Sequence, residues 1–110
     1  MWIIDNLHSQ VPGTDAREPD YPKGVEFRLG DVRDIQAVRE VLAEAAPDVI
    51  FHLVAETSTG PSNEEISRYC GVNVEGAAHL IEALKAEQSP YQRVARASEL
   101  AVYEEGGYRV

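Results

Sequence analysis

The segment DVIFHLVA (48–55) constrains this chain more than any other. It is an almost unbroken apolar run, too short for a helix of its own and closely preceded by Pro47. A run of this kind reads as a strand covered on both faces of a parallel sheet. Parallel strands need long crossovers, and helical periods flank the run on both sides. Upstream, DIQAVREVLAEAAP (34–47) sets Ile35, Val38, Val41, Leu42 and Ala45 at helical spacing. Asp34 caps its start and Pro47 marks its end. Downstream, PSNEEISRYCGVNVEGAAHLIEALKAE (61–87) sets Ile66, Cys70, Asn73, Ala77, Leu80, Ile81 and Leu84 along one face. Ser62 with Glu65 forms a capping-box pattern, and Gly71 and Gly76 weaken the helix locally.

Three shorter runs complete the pattern: MWII (1–4), VEFRL (25–29) and RVARA (93–97), all read as strands. VPGTDAREPDYPKG (11–24), rich in proline and glycine, reads as a loop and not as a linker between domains. The predicted order is β–loop–β–α–β–α–β, an α/β chain with an open parallel sheet. At 110 residues it is a single domain at most. Right-handed crossovers bring the C-terminal ends of the strands to one edge, where such sheets bind ligands.

Charge and composition exclude several classes. The 19 acidic and 10 basic residues give a net charge of −9, which opposes binding to a nucleic-acid backbone. No apolar run approaches the roughly 20 residues of a membrane-spanning helix. The N-terminus has no signal-peptide pattern, so a cytoplasmic location is the default expectation. The single Cys70 excludes an internal disulfide and a cysteine-rich zinc site, and reads as a small buried hydrophobe of its helix. His8, His52 and His79 lack a second ligand at metal spacing and are read as structural or solvent-facing; no metal site is expected.

The strand exits are DNLHS (5–9), GDVRD (30–34), HLVAETSTG (52–60) and ASELAVYEE (97–105). Asp5 is either a turn or capping residue or a carboxylate that accepts the hydroxyls of an adenosine ribose. In the latter role it repels a 2′-phosphate and favours NAD over NADP. Asp31 is a turn aspartate or, with Val32, flanks an adenine. Leu53, Val54 and Ala55 are core residues or small side chains beside a ribose or pyrophosphate. Asn73, within the apolar stripe, either bonds neighbouring backbone and fixes a helix irregularity or helps to shape a site.

Taken together, IIDNL, GDVRD, PDVIFHLVAETSTG, YCGVNVEGAAHLIEAL and ASELAVYEEG resemble, in order and spacing, the extended short-chain dehydrogenase/reductase family. Its members are NAD-dependent epimerases and dehydratases of nucleotide sugars. The resemblance implies a Rossmann-like sheet, bound NAD and hydride transfer at a sugar carbon. It also implies cofactor contacts by Asp5, Asn6, Leu7, Asp31, Val32, Leu53, Val54, Ala55, Asn73 and Ser98.

The departures from the family pattern shape the remaining expectations. The glycine-rich turn G-x-x-G-x-x-G, which seats the phosphates at a helix N-terminus, does not occur in these 110 residues. No tyrosine has a lysine four positions on, and Glu99 stands where the family has a catalytic serine or threonine. An ionised carboxylate cannot donate the hydrogen bond that position requires. The expected domain is therefore a partial dinucleotide fold (1–110), β-β-α-β-α-β, without the family's first strand, glycine turn and first helix, and catalytically inactive. Without a central strand, its sheet is either split or closed by pairing strand 1–4 with strand 48–54. Such a domain is expected to be marginal in stability, or to associate with itself or a full-length homologue. Two alternatives remain open: a non-catalytic module that docks on an intact homologue, and part of an intact enzyme separated by a wrong start or frameshift.

Overall fold

The computed structural model describes residues 1–8, 20–56, 63–87 and 91–97. Strand β1 (Trp2–Asp5) lies parallel to β2 (Glu26–Leu29), with Trp2 opposite Glu26 and Asp5 opposite Leu29. The Met1 ammonium donates to the Gly24 carbonyl at 3.1 Å, and the Glu26 amide donates to the Met1 carbonyl at 2.9 Å. Gly24 enters this strand with φ +89°, a conformation open to a residue without Cβ. Strand β3 (Val49–His52) lies parallel to β4 (Arg93–Arg96), with Ile50 opposite Val94.

The two ladders do not join among the described residues: β1 pairs with β2, and β3 with β4. Of the two arrangements expected from the sequence, the chain adopts the split sheet. One edge of β1 and one edge of β3 carry no ladder partner among these residues.

Helix α1 (Ile35–Ala45) starts where the Asp34 carboxylate accepts from the Gln36 and Ala37 amides, at 2.9 and 3.3 Å. It stops as Ala46 turns left-handed at φ 40° and donates back to the Leu42 carbonyl; Pro47 follows. The second helical stretch runs through α2 (Ile66–Cys70), a π-helical turn (Gly71–Glu75) and α3 (Gly76–Ala86). Val38 and Leu42 of α1 meet Ala83 and Leu84 of α3 in the core, with Leu84 only 1% exposed. Ile50 of β3, Val94 of β4 and Leu80 pack against this cluster. On the other sheet, Ile4 lies over Gly30, whose own Cβ would stand 3.0 Å from the Ile4 Cδ1 and 3.7 Å from the Ala37 Cβ of α1.

Two expectations need correction. The β3 region is covered on one face only: Ile50 and His52 point into the core, while Val49, Phe51 and Leu53 are 46%, 70% and 69% exposed. An apolar run reports that a strand favours burial; it cannot report whether both faces have found a cover. The expected helical stripe also breaks down toward its start. Ile66 and Cys70 are exposed before the π turn, whereas Val72, Gly76, Ala83 and Leu84 are buried; after the turn the stripe holds except at Ile81, which is exposed. The π turn inserts an extra residue, so the buried face before it falls out of phase with an ideal 3.6-residue repeat.

The glycines that weaken this helix also let it dock. A Cβ on Gly76 would lie 2.6 Å from Val32 Cγ2, and one on Gly71 would lie 3.1 Å from Arg33 Cδ. Gly76→Ala is therefore expected to destabilise the fold by about 1–3 kcal/mol through overpacking, measurable by urea denaturation. His52 supplies a second test. It is 7% exposed and its Nε2 has no hydrogen-bond partner among the described residues. Burial first, and Arg96 second, push its pKa below 6.5. The unfolded chain then takes up the proton first, so stability holds above pH 6.5 and declines as the pH falls below it. His52→Leu is expected to flatten that decline in thermal melts between about pH 5 and 7.

Candidate functional site

The exits of β1, β2 and β3 and the π turn share the C-terminal edge, and hydrogen bonds knit them together. After β1, the Asp5 Oδ1 accepts from the Leu7 amide at 2.7 Å, and the Asn6 Oδ1 from the His8 amide at 3.1 Å. These two side chains fold the exit over itself, with Leu7 at φ 50°. Asp5 is exposed, and the Leu7 amide is the one donor on its carboxylate among the described residues.

Asp31, after β2, is far more engaged. Its Oδ1 accepts from the Arg33 amide and Nε, both at 2.9 Å. Its Oδ2 accepts from Arg33 Nη2 at 2.7 Å and from Asn6 Nδ2 at 3.1 Å. Four donors fill the roughly four lone-pair sites of a carboxylate. The Arg33 guanidinium above all, helped by its amide and by Asn6, holds this carboxyl well below the usual range despite partial burial. Its neighbour Val32 packs on Gly76, and the Val32 carbonyl accepts from His79 Nδ1 at 3.2 Å. That bond fixes His79 with a proton on Nδ1, because a carbonyl cannot donate.

Beyond β3, Leu53 and Ala55 are exposed and Val54 is half-buried. The chain there is held by Asn73. Its Oδ1 accepts from the Glu56 amide at 2.8 Å, and its Nδ2 donates to the Glu56 carbonyl at 3.1 Å. Asn73 lies in the π turn, and its partner is not neighbouring helix backbone but the peptide of Glu56, 17 positions earlier, so it fixes the position of a strand exit. From β4, Arg96 Nη2 reaches the Asn73 carbonyl at 3.4 Å. Ser98 and Glu99 lie outside the described residues. Cys70 is exposed, not the buried hydrophobe expected, because the π turn re-phases its helix.

Arg68 and its partner Glu56 carry little signal in the sequence. Arg68 of α2 contacts His8 Nε2 at 2.7 Å and pairs with Glu56 at 3.6 Å and Glu65 at 3.0 Å. The Arg68 and Glu56 side chains are 16% and 10% exposed, so their pair is shielded from water. Only the (i, i+3) spacing from Glu65 hints at any of this. Arg33 is more legible: an arginine two residues after a turn aspartate can fork onto it. Among the described residues, no three His, Cys, Asp or Glu side chains are grouped to hold a metal ion, and no helix is long and apolar enough to cross a membrane.

The edge therefore offers an exposed carboxylate after β1, a saturated one after β2 and open small-residue backbone after β3. Asn73→Ala is expected to leave both Glu56 peptide groups without their partner and cost about 1–3 kcal/mol. Amide exchange should quicken first at Glu56.

The family model described as NAD dependent epimerase/dehydratase family matches residues 2–108. The dTDP-L-rhamnose 4-epimerase of Burkholderia thailandensis is 35% identical over 107 residues, covering 97% of this chain and 30% of that protein. A crystal structure of a UDP-glucose 4-epimerase superposes with a TM-score of 0.75 at 29% identity, over 94% of this chain and 29% of the other. The Thermus thermophilus UDP-glucose 4-epimerase, in complex with NAD, gives a TM-score of 0.66 at 28% identity, over 80% of this chain and 26% of that one. The chain thus spans about a third or less of these relatives.

Proposed function

Because the chain belongs to the NAD dependent epimerase/dehydratase family, we propose that it carries the adenosine side of the NAD site of a nucleotide-sugar epimerase or dehydratase. We further hold that these 110 residues do not catalyse hydride transfer by themselves. The observation that supports this best is the Asp5 turn. Its carboxylate is exposed at a strand exit and, among the described residues, hydrogen-bonded only on Oδ1, which leaves acceptor capacity for a pair of ribose hydroxyls. Such a carboxylate also disfavours a 2′-phosphate, and so selects NAD.

The fit is partial. Asn6 and Leu7 shape the turn that presents Asp5, while Leu53, Val54 and Ala55 offer backbone for the middle of the dinucleotide. Asp31 has its acceptor sites filled by Arg33 and Asn6, so an adenine amine gains a bond there only by displacing one of them. The glycine-rich phosphate turn and a Tyr-x-x-x-Lys pair are not in the sequence, and Glu99 replaces the hydroxyl donor. When bound, NAD supplies the hydride acceptor of the family's chemistry; the residues of this chain orient its adenosine end. Ser98 would follow toward the nicotinamide, and the substrate class would be a nucleotide sugar.

A second reading, association with another copy or a full-length homologue, draws support from the split sheet and the bare Val49–Phe51–Leu53 face. Isothermal titration of the chain with NAD and with a nucleotide sugar tests the first reading. Weak or undetectable heats are expected, with a Kd on the order of 1 mM or weaker. Micromolar NAD affinity, or turnover of the sugar, would overturn the claim of inactivity. Asp5→Asn should weaken whatever NAD affinity is measured.

A further inference from the structure

With no ladder between β1 and β3, something else must set the spacing of their exits. The hydrogen bonds at the edge run in a continuous path. Arg33 holds Asp31, Asp31 holds Asn6, and Asn6 holds the His8 amide. The His8 ring meets Arg68, Arg68 pairs with Glu56, and Glu56 is pinned by Asn73. Arg68 is the joint in this path. On one side it holds a residue of the β1 exit, 60 positions away in sequence; on the other, a residue of the β3 exit. It is mostly buried, braced by Glu65 at 3.0 Å and by the Tyr69 ring, whose centre lies 5.4 Å from its guanidinium carbon.

We propose that Arg68 is a positioning residue: through His8 and Glu56 it sets the separation of the β1 and β3 exits, and so the span between Asp5 and the Leu53–Ala55 backbone. That this span is the one a dinucleotide bridges rests on the function proposed above; the coupling itself does not. The chemistry of the contact is specific. Arginine only donates, so the 2.7 Å approach of Arg68 Nη1 requires His8 Nε2 to be a bare acceptor, with the ring proton on Nδ1. A lysine cannot reproduce the fork, because it offers one point charge where Arg68 reaches His8, Glu56 and Glu65 at once.

The test uses the full, isotope-labelled chain without ligand. Long-range proton–nitrogen spectra at neutral pH are expected to show the His8 ring in the Nδ1–H form. A ring in the Nε2–H form, or an even mixture, would overturn the proposal without any variant. Amide exchange at Glu56 is then followed in a double-mutant cycle. His8→Ala should speed Glu56 exchange about fivefold to tenfold while Arg68 is present, leaving the Leu42 and Leu84 amides of the core unchanged. In an Arg68→Met background the same His8→Ala change should have no further effect. An unchanged Glu56 amide in His8→Ala, or equal acceleration in both backgrounds, would refute the coupling. If Arg68→Met does not fold, Arg68→Lys takes its place, and the His8→Ala effect should fall by at least about threefold. Failure of NAD to bind in titration bears only on the functional reading, because none of these measurements contains NAD.

Discussion

The fold depends on the contact between α1 and α3. Val38 and Leu42 meet Ala83 and Leu84, and from this seam the two sheets hang separately. Ile50 and Val94 pack against the seam from the β3–β4 sheet, while Ile4 lies near Ala37 of α1 on the side of β1–β2. In an unbroken parallel sheet, ladder hydrogen bonds would share this task. Here the helix layer carries it, so small losses at the seam bear on both sheets. Leu84, nearly fully enclosed, illustrates the leverage: truncation of a side chain of that kind typically costs about 2–5 kcal/mol, a large share of the roughly 5–15 kcal/mol that holds a folded domain together.

Much of the architecture was legible in the sequence because it follows from local rules. Asp34 caps α1 as its position suggested, and the chain stops at Ala46 ahead of Pro47. Val38, Val41 and Leu42 are buried as their spacing required. All four strands appear within a residue or two of the expected runs, except that β3 is shorter. What escaped was non-local. Whether the second face of β3 has a cover depends on elements remote from it, and period alone cannot supply that. The π turn escaped too, because a single inserted residue leaves no compositional trace. Its only mark was an asparagine in an apolar stripe, and that residue does hold Glu56.

The site divides along the same line. Asp5, Asn6 and Asp31 lie at strand exits, where topology alone directs attention. Their pairing was not readable: that Asn6 bonds Asp31, and that Arg33 saturates it, depends on side-chain directions set by the turn after each strand. Arg68 was invisible for a related reason. An arginine on a helix usually faces water, and nothing nearby in sequence announces that His8 and Glu56 will converge on it.

The exposed strip of Val49, Phe51 and Leu53, beside a strand edge with no ladder partner among the described residues, has a colloidal consequence. Segments of high β-propensity, low charge and no proline, presented at an unpaired edge, template cross-β stacking of like chains. The opposing influence is the net charge of −9, which keeps copies apart over roughly a Debye length. Solubility of this chain is thus a contest between a short-range adhesive strip and a long-range repulsion. Charge screening by salt weakens only the repulsion, and kosmotropic salts strengthen the adhesion as well.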